Sequence, residues 1–197
     1  FLPTRSVEKL FGRPLDALGV PSGSLTHEPG VVGEVVVRAP HARAGYDRLW
    51  HTEHAASQPP GWHATGDVGS LDAEGRLWIG GRLGHVITTV DGPVAPVRLE
   101  LAIESVPSVA SAAVVGVGPR GVQQVVAVVQ TELPPSSPRP APLDLADAVR
   151  AAVDRDVVAV FEVPALPVDR RHNSKIDRTH VALWAADVLA GGKVRTL

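Results

Sequence analysis

Two groups of polar residues have the types and spacing for chemistry. The first lies in Trp62–Glu100, where Thr65-Gly66-Asp67 and Gly80-Gly81-Arg82 stand 15 residues apart. A carboxylate such as Asp67 can accept hydrogen bonds from paired hydroxyls with its two oxygens. The glycine before it lets the backbone pass close to a ligand. Arg82 adds a permanent cation after a flexible glycine pair. The second group is Val168–Arg178, V-D-R-R-H-N-S-K-I-D-R, which sets Arg170, Arg171, Lys175 and Arg178 against Asp169 and Asp177. Cations there could meet negative charge on a substrate; a bare charge run could equally be a solvated loop. Likewise, Asp67 and Arg82 could form only a structural salt bridge.

The surrounding pattern says how these groups would be held. Val68 and Leu71, then Leu77 and Ile79, alternate with polar residues around Asp72-Ala73-Glu74-Gly75, the signature of a β-hairpin. Such a hairpin carries Asp67 at one end and Arg82 at the other, so both can reach one side of a cleft. Val31–Arg38 is dense in β-branched residues and reads as a strand. Residues 1–30 are broken by Pro3, Pro14, Pro21 and Pro29 and read as loop-rich.

Further along, Val86–Thr89 and Val94–Val97 form a short hairpin around Asp91-Gly92, and Pro96 opens a helix over Val97–Ser105. Val109–Gly118 and Val122–Thr131 read as buried strands, Leu133–Pro142 as a loop or short extended linker, and Leu143–Arg155 as a helix with Asp144 as its cap. Val157–Val163 is a strand and Thr179–Leu189 a terminal helix. The expected class is α+β: a β-rich piece over residues 1–83, then a layered domain over 84–197 made of a hairpin and a roughly three-stranded sheet covered by about three helices.

Composition bounds the function. Of 197 residues, 44% are hydrophobic and 20% charged, enough for a real core. Net charge is −2, so no basic field invites nucleic acid. With no cysteine, disulfides, thiolate metal sites and thiol nucleophiles are excluded. His51, His54 and His63 lack a completing ligand at familiar spacing, so no metal site is assigned. No apolar run is long enough for a bilayer and no signal peptide is visible, so the expected location is the cytoplasm. The chain starts at Phe1 and contains no Met, which fits a piece of a longer polypeptide.

The motifs resemble those of the adenylate-forming ligases, which include acyl-CoA synthetases, luciferases and peptide-synthetase adenylation domains. That pattern runs G-W-x-x-T-G-D, an acidic-glycine turn, G-R, a short hairpin, then P-x-E-[IV]-E opening a helix. Its spacings hold here through Pro96 and Glu100. Upstream, Gly12-Arg13-Pro14, Gly33-Glu34 and Gly45-Tyr46 fit the same family, with Glu34 and Tyr46 read as structural.

The resemblance implies roles. Asp67 would bind the ribose hydroxyls of ATP and Arg82 the ribose or phosphate side. Gly84 would be the hinge about which a small mobile C-terminal domain swings. Lys175, in a Lys-Ile-x-Arg run, would enter the active site and stabilise charge on the α-phosphate and the incoming carboxylate. Arg178 is a further candidate from the same run. ATP and Mg2+ are the implied cofactors, with the Mg2+ ligands mostly in an N-terminal adenylation region. That region's phosphate loop and aromatic-Gly-x-Thr-Glu motif do not occur here, so this chain alone is expected to be inactive.

Three departures narrow the branch. The chain has Asn173-Ser174-Lys175 for the usual S-G-K, His85 for an acidic residue, and Val90-Asp91 for the glycine pair that lines the pantetheine tunnel of CoA ligases. R-x-G-H and R-H-N-x-K-I resemble the olefin-biosynthesis β-lactone synthetases, in which a long-chain β-hydroxy acid is adenylated and its own hydroxyl displaces AMP. CoA is not required on that reading. The alternatives are an acyl-CoA or acyl-AMP ligase, a docking module that supplies Lys175 in trans, or an inactive remnant. No role follows for His85 from the sequence.

Overall fold

The structure is a computed structural model that describes residues 9–38, 61–168, 175–194 and 197. Gly45-Tyr46, His51, His54, Arg170 and Arg171 lie outside the described residues. The chain divides into two compact units, residues 1–86 and 87–197; the sequence expectation had placed the boundary between Leu83 and Gly84.

The first unit is a four-stranded antiparallel sheet in chain order: β1 (Lys9–Pro14), β2 (Gly33–Arg38), β3 (His63–Leu71) and β4 (Leu77–Arg82). β1 corrects the loop reading of residues 1–30. Its proline is the last strand residue and the strand lies at a sheet edge, where a missing N–H is tolerated. His63, one of the three histidines weighed for a metal site, is the first residue of β3. Val36 and Val68, fully buried, centre the apolar face.

Gly33 and Gly69 mark close backbone approaches. A Cβ on either would lie 2.5 Å from a carbonyl oxygen of the neighbouring strand, that of Arg13 or of Trp78. Beyond β4, Leu83–His85 form one 3-10 turn.

The β3–β4 turn is held by Asp72. Its Oδ1 accepts the backbone N–H groups of Glu74 (3.1 Å) and Arg76 (2.8 Å). Its Oδ2 accepts from Trp78 Nε1 (2.9 Å) and Arg76 Nε (2.6 Å). The indole hydrogen bond first, then the Arg76 contacts, hold the carboxyl well below its ordinary value of 3.8. A depressed carboxyl stabilises the turn above its unfolded pKa and loses that contribution only as pH falls through the lower folded value. The Trp78 indole N–H resonance should therefore stay unchanged on acidification past 3.8 and shift only in stronger acid. A midpoint near the ordinary value would show that these hydrogen bonds do not hold the turn in solution.

The second unit starts with a hairpin, β5 (Ile87–Thr89) and β6 (Gly92–Val94), followed by α1 (Pro96–Glu104). Then come β7 (Val109–Val117), β8 (Gln124–Thr131), β9 (Arg139–Pro140), α2 (Leu143–Ala151), β10 (Val157–Glu162) and α3 (Arg178–Leu189). The main sheet has order β7-β8-β10-β9, with β8 and β10 parallel and the other pairs antiparallel.

Period-two alternation divides β8 between two apolar layers. Val125, Ala127 and Val129 pack with Leu99 and Ile103 of α1 and Val149 of α2. Val126 and Val128 pack with Phe161, Val163 and, from α3, Val181 and Trp184. A strand covered on both faces needs a continuous apolar run, and V-V-A-V-V provides it.

The unit is α+β as expected, with the foreseen hairpin and a main sheet of four strands where three were foreseen. The extra strand, β9, lies inside the proline-rich stretch read as a loop or short extended linker. It is anchored by Arg139, whose Nε donates to the buried Glu162 carboxylate (2.9 Å), which also accepts from Thr131 Oγ1 (2.8 Å). Asp144 does not cap α2: the preceding residue is Pro142 and no side chain accepts from the first turn. Asp144 sits within that turn, where the helix dipole favours its charge. Among the described residues, no helix is long and apolar enough to cross a membrane.

Candidate functional site

The candidate residues fall in both units. In the first, strand register places Asp67 of β3 opposite Arg82 of β4. Arg82 Nη1 donates to Asp67 Oδ1 (3.0 Å) and to the Thr65 carbonyl (3.3 Å). The ion pair weighed from the sequence is thus formed. Both side chains stay open to solvent, 59% exposed for Arg82 and 37% for Asp67, so the pair itself adds only about 0–1 kcal/mol.

The backbone around Asp67 is tied down. Thr65 Oγ1 donates to the Val35 carbonyl (2.8 Å) and accepts the Asp67 N–H (3.1 Å). Gly66 between them has φ 73°, a left-handed conformation that favours glycine. On the adjacent strand β2 lies Glu34, buried and accepting a hydrogen bond from the Gly66 backbone. Burial pushes the Glu34 carboxyl above its ordinary 4.5, while the Arg13 cation and the Gly66 hydrogen bond act in the opposite sense. Glu34 was read from sequence as structural; it lies on β2, beside the Thr65-Gly66-Asp67 stretch of β3 and paired in register with Val68.

Gly84 and His85 occupy the 3-10 turn after Arg82. Gly84 is exposed, has no positive φ, and a Cβ there would meet nothing within 4 Å. Nothing in this conformation requires glycine at that position.

In the second unit, Lys175 is exposed and makes no ion pair among the described residues. The chain on its C-terminal side is firmly placed. Ile176 bridges to Val168, the Asp177 N–H donates to the Pro167 carbonyl (2.8 Å), and Asp177 Oδ1 caps α3 by accepting from His180 N (3.0 Å). Arg178, at the start of α3, reaches Glu100 of α1 in a two-bond fork: Nε to Oε1 at 2.8 Å and Nη2 to Oε2 at 2.5 Å. The Glu100 hydrogen bond raises the Arg178 pKa further above its ordinary value, against the opposing effect of burial. Glu100 Oε1 also accepts the Val114 N–H of β7 (3.0 Å).

Sequence reasoning missed this role of Glu100. The two partners are 78 residues apart, and the only trace is that each closes a motif, P-x-x-x-E and K-I-x-R. The hairpin turn at Val90-Asp91 is closed on itself: Thr89 Oγ1 donates to the Gly92 carbonyl (3.0 Å) and accepts the Asp91 N–H (3.2 Å). Val90 projects from it, 78% exposed. Among the described residues, no group of three or more His, Cys, Asp or Glu could hold a metal ion.

The chain is 38% identical over 170 residues to an olefin beta-lactone synthetase of Stenotrophomonas maltophilia, covering 80% of this chain and 30% of that protein. It is 40% identical over 129 residues to another from Xanthomonas campestris pv. campestris, covering 63% and 23%. The chain belongs to the adenylate-forming ligases. Its fold also matches amide bond synthetase McbA from Marinactinospora thermotolerans, with a TM-score of 0.72, 30% identity, and coverage of 90% of this chain and 34% of that one. No family model matches the chain. The chain thus spans about a third or less of the length of these relatives, and its two units correspond to the C-terminal part of an adenylate-forming ligase.

Proposed function

We propose that this chain is the C-terminal part of an ATP-dependent, AMP-forming enzyme that converts a long-chain β-hydroxy acid to a β-lactone. The observation that carries this reading is its 38% identity, over four-fifths of its length, to an olefin beta-lactone synthetase. In the first step the substrate carboxylate attacks the α-phosphorus of ATP and pyrophosphate leaves. In the second the substrate's own hydroxyl oxygen attacks the acyl carbonyl, the acyl–phosphate C–O bond breaks, AMP leaves, and the hydroxyl proton passes to solvent. Asp67 would hold the ribose hydroxyls through its carboxylate, with Arg82 swinging from it to the phosphate side. Lys175 would place its ammonium against the charge that grows on the α-phosphate and the attacking carboxylate.

Gly84 fits a hinge role in this scheme. A glycine that the present backbone does not need is one that a second backbone conformation could require. Val90-Asp91, standing where the resemblance puts the glycine pair of CoA ligases, supports a reaction without CoA. ATP would arrive with Mg2+, for which the described residues offer no ligand cluster. Alone, the chain should turn over nothing.

The test is a chimera in which this chain replaces the corresponding C-terminal region of the Stenotrophomonas relative. With ATP and a long-chain β-hydroxy acid it should release AMP and β-lactone in the absence of CoA. Product only when CoA is added would identify a thioester ligase instead. No adenylation of any acid, while the intact relative works, would remove the enzyme reading and leave a remnant.

A further inference from the structure

We propose that Glu100 and Arg178 are a positioning pair: their fork sets the start of α3, and through it the place of Lys175. The inference rests on the proposed role of Lys175 and adds how that lysine is aimed. Three observations carry it. The fork is geometrically complete, with both Glu100 oxygens engaged by two different nitrogens of Arg178. It is well shielded, with the Glu100 side chain 6% and the Arg178 side chain 18% exposed. And Arg178 lies three residues from Lys175, with only the Ile176 bridge and the Asp177 cap between them.

Each intervening contact transmits the placement. Arg178 is fixed on α1 by the fork, and α1 is fixed on β7 because Glu100 also holds the Val114 N–H. Asp177 binds the Pro167 carbonyl and caps α3. Lys175 itself is exposed and gains nothing from burial, so its location depends on these neighbours. An ammonium that must meet developing charge within hydrogen-bond distance tolerates little displacement: a shift of about 1 Å can cost about 100-fold in rate. Such a residue benefits from a rigid anchor close by in the chain.

Glu100→Gln is the selective probe, because the amide oxygen can still accept from Val114 while the charge that holds Arg178 is lost. On the 197-residue chain, native-state hydrogen exchange should speed up at the Asp177 amide by about tenfold relative to Val126 and Val128 of β8. Arg178→Lys, which keeps the charge and loses the fork, should give a smaller rise at the same amide. Lys175→Ala should leave that exchange unchanged. In the chimera, Glu100→Gln should lower kcat for adenylation about tenfold or more, with KM for ATP nearly unchanged. If Asp177 exchange does not change, or rises only in step with Val126 and Val128, the pair merely stabilises the unit and the proposal fails. A proportionate loss through KM alone would overturn it as well. Failure of the Lys175 reading looks different: Lys175→Ala in the chimera would then keep full adenylation activity, whatever Glu100→Gln does to exchange.

Discussion

Replacing Lys175 with alanine should lower adenylate formation in the chimera by about 10²–10³-fold, with no loss of folding stability. Removing one donor that faces developing charge in a transition state typically has that effect, because the site forfeits an interaction made only at the barrier top. Folding should be indifferent: the side chain is exposed and makes no ion pair among the described residues, and such surface changes usually stay within about 0.5 kcal/mol. Lys175→Arg should not restore the rate, since a planar fork cannot replace a compact ammonium at a point of charge. The measurements are pyrophosphate exchange with ATP and acid, and thermal unfolding of the same proteins. If the second step uses other groups, pre-formed acyl-adenylate supplied to the Lys175→Ala chimera should still yield product at nearly the parental rate. An alanine variant that exchanges pyrophosphate like the parent would end the assignment of Lys175.

Which parts of this structure were legible in the sequence follows from how local their causes are. The β3–β4 hairpin could be read because alternation and an acidic-glycine turn act over a few residues. The central strand β8 could be read because burial on both faces leaves a continuous apolar run. The start of α1 at Pro96 follows from the fixed φ of proline, which suits a first helical turn. By contrast, β1 is an edge strand whose Gly12 and Pro14 weaken the pattern, and it exists because β2 offers it a ladder. β9 is two residues long and depends on Arg139 reaching a buried carboxylate on β10. The division after Val86, not before Gly84, reflects a short 3-10 turn that packs against β3 of its own unit. Motif spacing does not record that packing.

The candidate site divides the same way. Asp67 and Arg82 are brought opposite each other by the register of one hairpin, so their meeting was foreseeable. The Glu100–Arg178 contact spans two helices and 78 residues. Only the packing of α1 and α3 around one sheet creates it. The hydrogen bond from Gly66 to Glu34 is of this second kind too, since it needs β2, some 30 residues upstream, to pair beside β3.

Glu100→Ala should destabilise the second unit by about 3–5 kcal/mol, the largest stability effect expected of any single change to these polar residues. Two penalties act together. Arg178, largely shielded, is left as an uncompensated charge, and the buried Val114 N–H loses its acceptor. For a unit of this size the unfolding temperature should fall on the order of 10 °C or more. The exposed Asp67–Arg82 pair sets the contrast: Asp67→Ala should cost no more than about 1 kcal/mol, since water takes over the freed cation. Adding Arg178→Met to Glu100→Ala should recover part of the loss, because an apolar side chain no longer carries a charge out of water. Recovery should stay incomplete, as the Val114 N–H remains unpaired in both variants. A double-mutant cycle over Glu100 and Arg178, followed by thermal unfolding, measures the coupling directly. Strict additivity of the two single substitutions would mean that the fork contributes nothing to the fold, and with it would go the physical basis for anchoring the lysine segment there.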